Sequence, residues 1–230
     1  MINDWSVINM WTMSHARPLS RPAKGWTRRK QARPGEILDA ATKVFAEIGY
    51  AAARMEDLAA RAGVTKGTIY LYFPSKEEVF KSLARQTVHV ALAGATQQVR
   101  DFTGTSRELL VALLSAISAF LQDKDRAMLP KIIISESGNF PELARFWRSE
   151  VVDRSLAMVT AAITQGIARG EFRPLPPEHV ARLCVAPIML GVIWRTTFSP
   201  LEAVPYDTQK LFETHIDVLL KGLEPEGSTP

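Results

Sequence analysis

The sequence predicts an all-α protein of about nine helices. Apolar residues recur at helical spacing along most of the chain, and no segment of useful length alternates apolar and polar residues as a strand does. Glycines, prolines and Ser/Thr-x-x-Glu patterns separate these runs at the positions where helices end and begin. The 230 residues are 47% hydrophobic and 23% charged, a composition that can bury a substantial core.

Residues 1–33 are predicted to form a flexible basic arm. Between Ala16 and Arg33 there are seven basic residues and no acidic residue, with two prolines and a glycine among them. Such a segment suits a polyanion such as DNA, or an anionic membrane surface, whereas a solvated tail that aids solubility is the alternative. The first residues lack the apolar run of a signal peptide, and Met10 and Met13 are possible translation starts besides Met1.

Residues 34–81 are predicted to contain three helices. The first begins at Pro34, where the missing N–H of proline has no cost, and ends at Gly49. The second covers residues 56–62 and is stopped by Gly63, and the third follows Thr65 as its N-cap. Two short helices joined by the stretch AGVTK predict a helix-turn-helix.

Residues 82–225 are predicted to form a larger helical domain. Ser75 to Glu78, Thr105 to Glu108 and Asn139 to Glu142 are predicted capping boxes, the first opening a helix that runs to about residue 101. The β-branched stretch KIIIS is predicted to be a buried helical turn, because it stands alone among helices. The last two helices are expected over residues 178–198 and 207–221.

The third helix has the composition of a recognition helix, which enters the major groove of DNA by its N-terminal end. Its hydroxyls and ammonium can reach base edges or phosphates, its glycine lets the backbone approach closely, and the tyrosines that follow can meet phosphates. The next helix begins with a lysine at its positive end. The residues concerned are Thr65, Lys66, Gly67, Thr68, Tyr70, Tyr72 and Lys76. The simpler alternatives are a capping role for Thr65, a core position for Tyr70 and an ordinary surface position for Lys76.

Residues 49–80, GYAAARMEDLAARAGVTKGTIYLYFPSKEEVF, resemble the DNA-binding signature of the tetracycline-repressor (TetR) family of bacterial regulators. With the preceding helix, the resemblance covers about 48 residues. It implies operator contacts by the Thr65–Thr68 stretch, phosphate contacts by Tyr72 and Lys76, and a mixed role for Tyr70. Ala53 departs from the threonine that is usual in the family, and Arg54 beside it is expected to replace that contact.

The resemblance also implies that residues 82–225 bind a ligand and form a dimer. Within them, FPELARFW followed by a long helix resembles regulators of the multidrug-efflux subgroup. Pro187, with Gly191 one turn later, predicts a kinked helix and a cavity beside it. Large or deformable apolar side chains are the candidate ligand contacts, although such residues also fill ordinary cores. They are Phe120, Met128, Trp147, Met158, Met189 and Trp194.

The function implied is that of a repressor, which occupies a near-palindromic operator as a homodimer through its last two helices. A small apolar or amphipathic effector would release it by favouring a conformer with wrongly spaced recognition helices. Three alternatives remain open: an activator, a regulator without an effector, and a hydrophobe-binding protein whose basic arm meets membranes.

Several other classes of function are disfavoured by the residues present. The chain shows no Ser-His-Asp order and no phosphate-binding glycine loop, so an enzyme is not expected. Metal-ligand spacing is also lacking, and we expect no metal and no cofactor. No stretch approaches the ~18 uninterrupted apolar residues of a spanning helix, and no membrane partner is expected. A single cysteine fits a reducing cytoplasm. The cysteine and histidines are Cys184, His15, His89, His179 and His215.

Replacement of Arg28, Arg29 and Lys30 by alanine is expected to flatten the salt dependence of DNA binding by roughly one slope unit per lost phosphate contact. The physical reason is that residues 34–81 carry six basic and seven acidic side chains, so much of the counterion release is expected to come from the arm. The measurement is the slope of log binding constant against log salt concentration. An unchanged slope would show that the arm does not touch DNA.

Overall fold

The computed structural model of the protein describes residues 24–86 and 102–225, with side chains from residue 34 onward apart from residues 124 and 125. All packing discussed below lies within the compact unit of residues 35–230. The regular structure of the described residues is entirely helical, which confirms the predicted fold class. Its helices are α1 (Lys24–Ile48), α2 (Met55–Arg61), α3 (Lys66–Tyr72), α4 (described over 76–86), α5 (Ser106–Gln122), α6 (Lys124–Glu136), α7 (Pro141–Trp147), α8 (Asp153–Ala168), α9 (Pro177–Ile193) and α10 (Thr208–Leu223).

Two π-helical turns extend these helices. The turn Arg148–Val152 joins α7 to α8 without a break, and Trp194–Phe198 continues α9 into a 3₁₀ turn at Ser199–Leu201. Counted in this way, the described residues contain nine continuous helical segments, as predicted.

The start of α1 differs from the prediction. The helix begins at Lys24 and contains Pro34 in its interior, so residues 24–33 are helical and not an extended arm. The cause is local propensity, because arginine, lysine, glutamine and alanine dominate the residues just before Pro34. Proline then removes one backbone hydrogen bond without ending the helix. The rest of the predicted arm, residues 1–23, lies outside the described residues.

Helices α1 to α4 pack around one core, in which Phe45, Leu58, Ile69 and Phe80 are almost completely buried. Gly49 and Gly63 have φ of 79° and 64°, the left-handed conformation that glycine adopts at low cost. They end α1 and turn the chain between α2 and α3, as predicted. The turn between α2 and α3 therefore has the geometry of a helix-turn-helix.

This core continues into α6 and α7. Leu129 of α6 and Leu143 and Trp147 of α7 belong to the same buried cluster as Phe45 and Phe80. The predicted division between residues 81 and 82 therefore does not coincide with a gap in packing.

The predicted helix starts have mixed outcomes. Thr105 and Glu108 form a complete capping box, in which Glu108 accepts from the Thr105 backbone N–H at 2.9 Å. Ser75 accepts from the Glu78 backbone N–H at 3.2 Å. The box at Asn139 is wrong, because α7 begins with Pro141 after Phe140 as N-cap, without a side-chain cap. Proline is favoured at the first position of a helix, because the N–H that it lacks would make no hydrogen bond within the helix there.

A second core lies among α5, α8, α9 and α10. Leu110 and Leu114 of α5, Ile163 of α8 and Cys184 of α9 are fully buried in it. Burial raises the pKa of the Cys184 thiol to about 12, so this cysteine is a small apolar core residue at neutral pH. The stretch KIIIS lies within α6, which confirms that it is helical. The prediction that this turn is buried is wrong, because Ile134 is exposed and only Ile132 of the stretch is fully in the core.

Among the described residues, the helical segment Pro177–Leu201 is long and apolar enough to cross a membrane. It packs on α5, α8 and α10, and it carries Glu178, Arg182 and Arg195.

Candidate DNA-binding surface and ligand cavity

The N-terminal end of α3 is presented to solvent. Thr65 and Lys66 are exposed, whereas Ile69 one turn later is fully buried and holds the helix on the core. The Thr65 hydroxyl accepts from the Thr68 backbone N–H at 3.2 Å and lies 2.9 Å from the Thr68 hydroxyl. Thr65 is therefore both the N-cap and a surface residue.

Gly67 has no close neighbour. A Cβ added at this position would meet only the Thr65 hydroxyl oxygen, at 4.0 Å. Packing inside the protein therefore does not require glycine here. The space over this turn of α3 is open to an external partner.

Lys66 is paired with an acid of the preceding helix. Its Nζ lies 2.6 Å from Oε1 of Glu56, and both side chains are at least half exposed. The hydrogen bond and the opposite charge raise the pKa of Lys66 and lower the pKa of Glu56. An exposed pair of this kind contributes little to stability, so an external anion can replace Glu56 at low cost. Sequence reasoning missed this partner, because it depends on the angle between α2 and α3.

The other predicted contacts differ in exposure. Tyr70 is 43% exposed, so the alternative of a core position for it is wrong. Tyr72 is half-buried and packs against the core. Ala53 is buried, which leaves Arg54 as the exposed member of that pair, directly before α2. The Arg54 backbone N–H donates to Asp57 at 2.8 Å.

Lys76 is held by backbone oxygens of the turn between α1 and α2. Its Nζ donates to the carbonyls of Tyr50 at 2.6 Å, Ala51 at 3.1 Å and Ala53 at 2.8 Å. Loss of water around the ammonium lowers the pKa of Lys76. An ammonium has three N–H donors, so these carbonyls engage all of them. The geometry therefore favours a structural role for Lys76 over the predicted phosphate contact.

The same lysine lies between two aromatic rings. Its Nζ is 4.4 Å from the ring centre of Tyr50 and 5.8 Å from that of Phe140. The two rings meet edge to face with their centres 5.0 Å apart. Burial raises the pKa of the Tyr50 hydroxyl. This contact, which we call the Tyr50–Phe140 joint, links the turn before α2 to the start of α7.

A cavity of about 330 Å³ is bounded by α5, the region from α6 to α8, and α9. Its lining is apolar except for Ser155 and Arg182. Among the predicted ligand contacts, four line it: Phe120, Trp147, Met158 and Met189.

Two predicted contacts lie elsewhere. Met128 is buried in the core of α1 to α4. The Trp194 indole N–H donates to Glu202 at 2.9 Å, and its ring packs on Phe198 and Tyr206. The predicted cavity therefore lies beside Met189 but not beside Trp194. Helical periodicity finds apolar faces, but it does not reveal which face borders a void.

Trp147 connects the cavity to the DNA-binding core. It lines the cavity and is also a buried member of the core formed with α1 to α4. It lies at the end of α7, the helix whose start carries Phe140 of the joint. The cavity wall is thus in contact with the core of the helix-turn-helix through Trp147 of α7.

Comparison with known proteins agrees with this geometry. Residues 37–83 match the model of bacterial regulatory proteins of the tetR family, and residues 100–204 match the tetracyclin repressor-like C-terminal domain. The chain is 27% identical over 197 residues to the fatty acid metabolism regulator protein of Bacillus subtilis, covering 84% of this chain and 98% of that protein. It is 29% identical over 199 residues to the transcriptional repressor KstR2 of Mycobacterium tuberculosis, covering 85% and 94%.

Among solved structures, the regulator FadR of Bacillus subtilis in complex with stearoyl-CoA aligns with a TM-score of 0.69 and 26% identity. The alignment covers 83% of this chain and 99% of FadR. These relatives are regulators of fatty acid metabolism and the KstR2 repressor, not the multidrug-efflux subgroup that the sequence suggested. The two family models together match more than half of the chain, and the protein belongs to the tetR family of DNA-binding, ligand-responsive transcriptional regulators.

Proposed function

We propose that the protein is a transcriptional repressor that binds a near-palindromic operator as a homodimer and is released by an apolar or amphipathic effector. The observation that carries the proposal is the apolar cavity whose wall residue Trp147 is also part of the DNA-binding core. A repressor of this kind acts in the bacterial cytoplasm, where its operator DNA is found.

The DNA contacts proposed for α3 are supported by the exposure of its first turn. The hydroxyls of Thr65 and Thr68 and the ammonium of Lys66 stand at the tip of the helix, and the open space at Gly67 admits a DNA backbone. Arg54 and Tyr70 are the exposed residues that flank this tip. Phosphate contacts by Arg28, Arg29 and Lys30 are proposed from their charge.

The switch is proposed to run through α7. An effector in the cavity contacts Trp147 at one end of this helix, and the Tyr50–Phe140 joint lies at the other end. Lys76 contacts both rings of the joint and donates hydrogen bonds to the carbonyls of Tyr50 and Ala53, which precede α2. Movement of α7 therefore changes the placement of the helix-turn-helix, provided that the effector binds one arrangement better than the other.

The effector class follows from the cavity lining and from the relatives. The lining is apolar over most of its surface, which suits a hydrocarbon body. The FadR structure contains stearoyl-CoA, and the Bacillus subtilis relative regulates fatty acid metabolism. We therefore propose a long-chain or similarly bulky hydrocarbon compound as the effector.

The dimer is proposed to form through α9 and α10. These helices present large apolar side chains to solvent, including Leu183 at 65% exposure and Val218 at 63%. Leu190 lies two turns after Leu183 and is also exposed. Exposed apolar side chains on two neighbouring helices favour a second copy as the partner that covers them.

Substitution of two lysines distinguishes a residue that contacts DNA from a residue that stabilises the fold. Lys66→Gln is expected to weaken operator binding by about tenfold and to leave the unfolding midpoint unchanged, because its ammonium is exposed. Lys76→Gln is expected to lower the free energy of unfolding by roughly 1–3 kcal/mol, because part-buried carbonyls lose a charged donor. Thermal unfolding and fluorescence anisotropy with an operator duplex measure the two effects. A Lys76 variant of unchanged stability would contradict the structural role.

Ala186→Trp is expected to retain operator binding and to lose release by stearoyl-CoA, because Ala186 lines the cavity and an indole would fill it. The matched control is Ala119→Trp, at an exposed alanine of α5 outside the lining. Footprinting of the DNA upstream of the gene first identifies the operator. Release from a duplex of that sequence is then measured by fluorescence anisotropy. Normal release of the Ala186 variant would place the effector elsewhere.

Leu183→Glu combined with Val218→Glu is expected to give a monomer with weakened operator binding. Both side chains are more than half exposed in the single chain, so the substitutions should not disturb its own core. Light scattering after size exclusion measures the mass. The control is Ile134→Glu, at an exposed residue of α6. A double variant that remains dimeric would exclude this interface.

A further inference from the structure

We infer that the cavity takes an amphiphile with one acidic head group on a hydrocarbon body, and that Arg182 binds this head group at the cavity mouth. The inference rests on the proposed function and specifies its effector. Arg182 is the only charged residue in the lining, among the residues that the structure describes.

The cavity lining has a buried part and an exposed part, which we call the closed end and the open end. Leu113, Leu121, Trp147 and Val159 of the closed end are buried and apolar. Arg182 lies among the exposed lining residues, together with Ala116, Val152 and Ala186. A hydrocarbon body is therefore expected to enter the closed end and leave its polar group beside Arg182.

Arg182 has no carboxylate partner within salt-bridge distance in the described part of the chain. One of its Nη atoms donates to the carbonyl oxygen of Glu178 at 2.8 Å, one turn earlier in α9. Other exposed arginines differ, since Arg154 is paired with Glu150 at 2.9 Å and Arg148 with Asp153 at 3.7 Å. The remaining N–H donors of Arg182 are available to an anion from outside.

An acidic group is the chemistry that this arrangement recognises. A guanidinium binds carboxylates and phosphates through paired hydrogen bonds, which are stronger than those between neutral groups. At the open end the head group keeps part of its hydration, so its charge is not buried. Elsewhere in the lining only the Ser155 hydroxyl could serve a second polar group, which favours a ligand with a single head.

Two sources fit this chemistry, and they differ in the acidic group. A free fatty acid would place its carboxylate on Arg182, whereas an acyl thioester of coenzyme A would place a phosphate there. A fatty alcohol of the same chain length has the same body without the charge. Stearate, stearoyl-CoA and octadecanol therefore form a matched set of probes.

The test measures binding of these probes to the full-length wild-type chain, Arg182→Gln and the control Arg154→Gln, below the concentrations at which the probes form micelles. Arg182→Gln is expected to weaken binding of the acidic probe by about tenfold or more and to leave octadecanol unchanged. Arg154→Gln removes an equal charge from a paired arginine and should change neither. The acidic probe with the larger loss identifies the head group. Equal melting temperatures of the variants show that the fold is intact.

The possible failures are distinguishable. If wild-type protein binds octadecanol as tightly as both acidic probes, or if Arg182→Gln weakens none of them, the role of Arg182 is overturned while the proposed effector class stands. If no probe binds and none releases the operator, the proposed function fails together with the inference.

Discussion

The constraint on which the structure depends is the continuous packing from the helix-turn-helix into α7. Tyr50 and Phe140 meet edge to face, and the Lys76 ammonium sits against both rings while it satisfies three carbonyls. The carbonyls of Tyr50, Ala51 and Ala53 lie in the turn that follows the left-handed Gly49, outside any helix, and the lysine supplies their hydrogen-bond donor. Because this packing has no gap among the described residues, the placement of the DNA-binding helices depends on α6 and α7.

The cavity exists because the helices around it do not close on one another. The π-helical turn Arg148–Val152 adds a residue to the helical turn between α7 and α8, and Val151 and Val152 of this turn line the void. On the opposite side, the small side chains of Ala116 and Ala186 leave space that larger residues would fill. A site with an apolar lining and one arginine results, and its wall residue Trp147 also belongs to the core that carries α3.

Prediction from the sequence succeeded where local rules govern. The all-α class, the glycine at each of two turns and the capping box at Thr105 follow from periodicity and backbone chemistry, and the structure confirms each of them. Prediction failed where local signals compete, as at Pro34, where strong helix formers outweighed the proline. It also failed for Trp194 and Met128, since both are large apolar residues on helices and only packing shows which of them face the cavity.

The amino-acid sequence alone determined the helical class, the helix-turn-helix and the exposed threonine-lysine tip of α3, because these depend on spacing and on residues close in the chain. Only the tertiary structure decided that Lys76 donates hydrogen bonds to backbone carbonyls, that Glu56 pairs with Lys66, and that Arg182 lines an apolar cavity. Each of these depends on distances between residues of different helices. Such distances are set by how whole helix faces pack, and a one-dimensional pattern does not contain them.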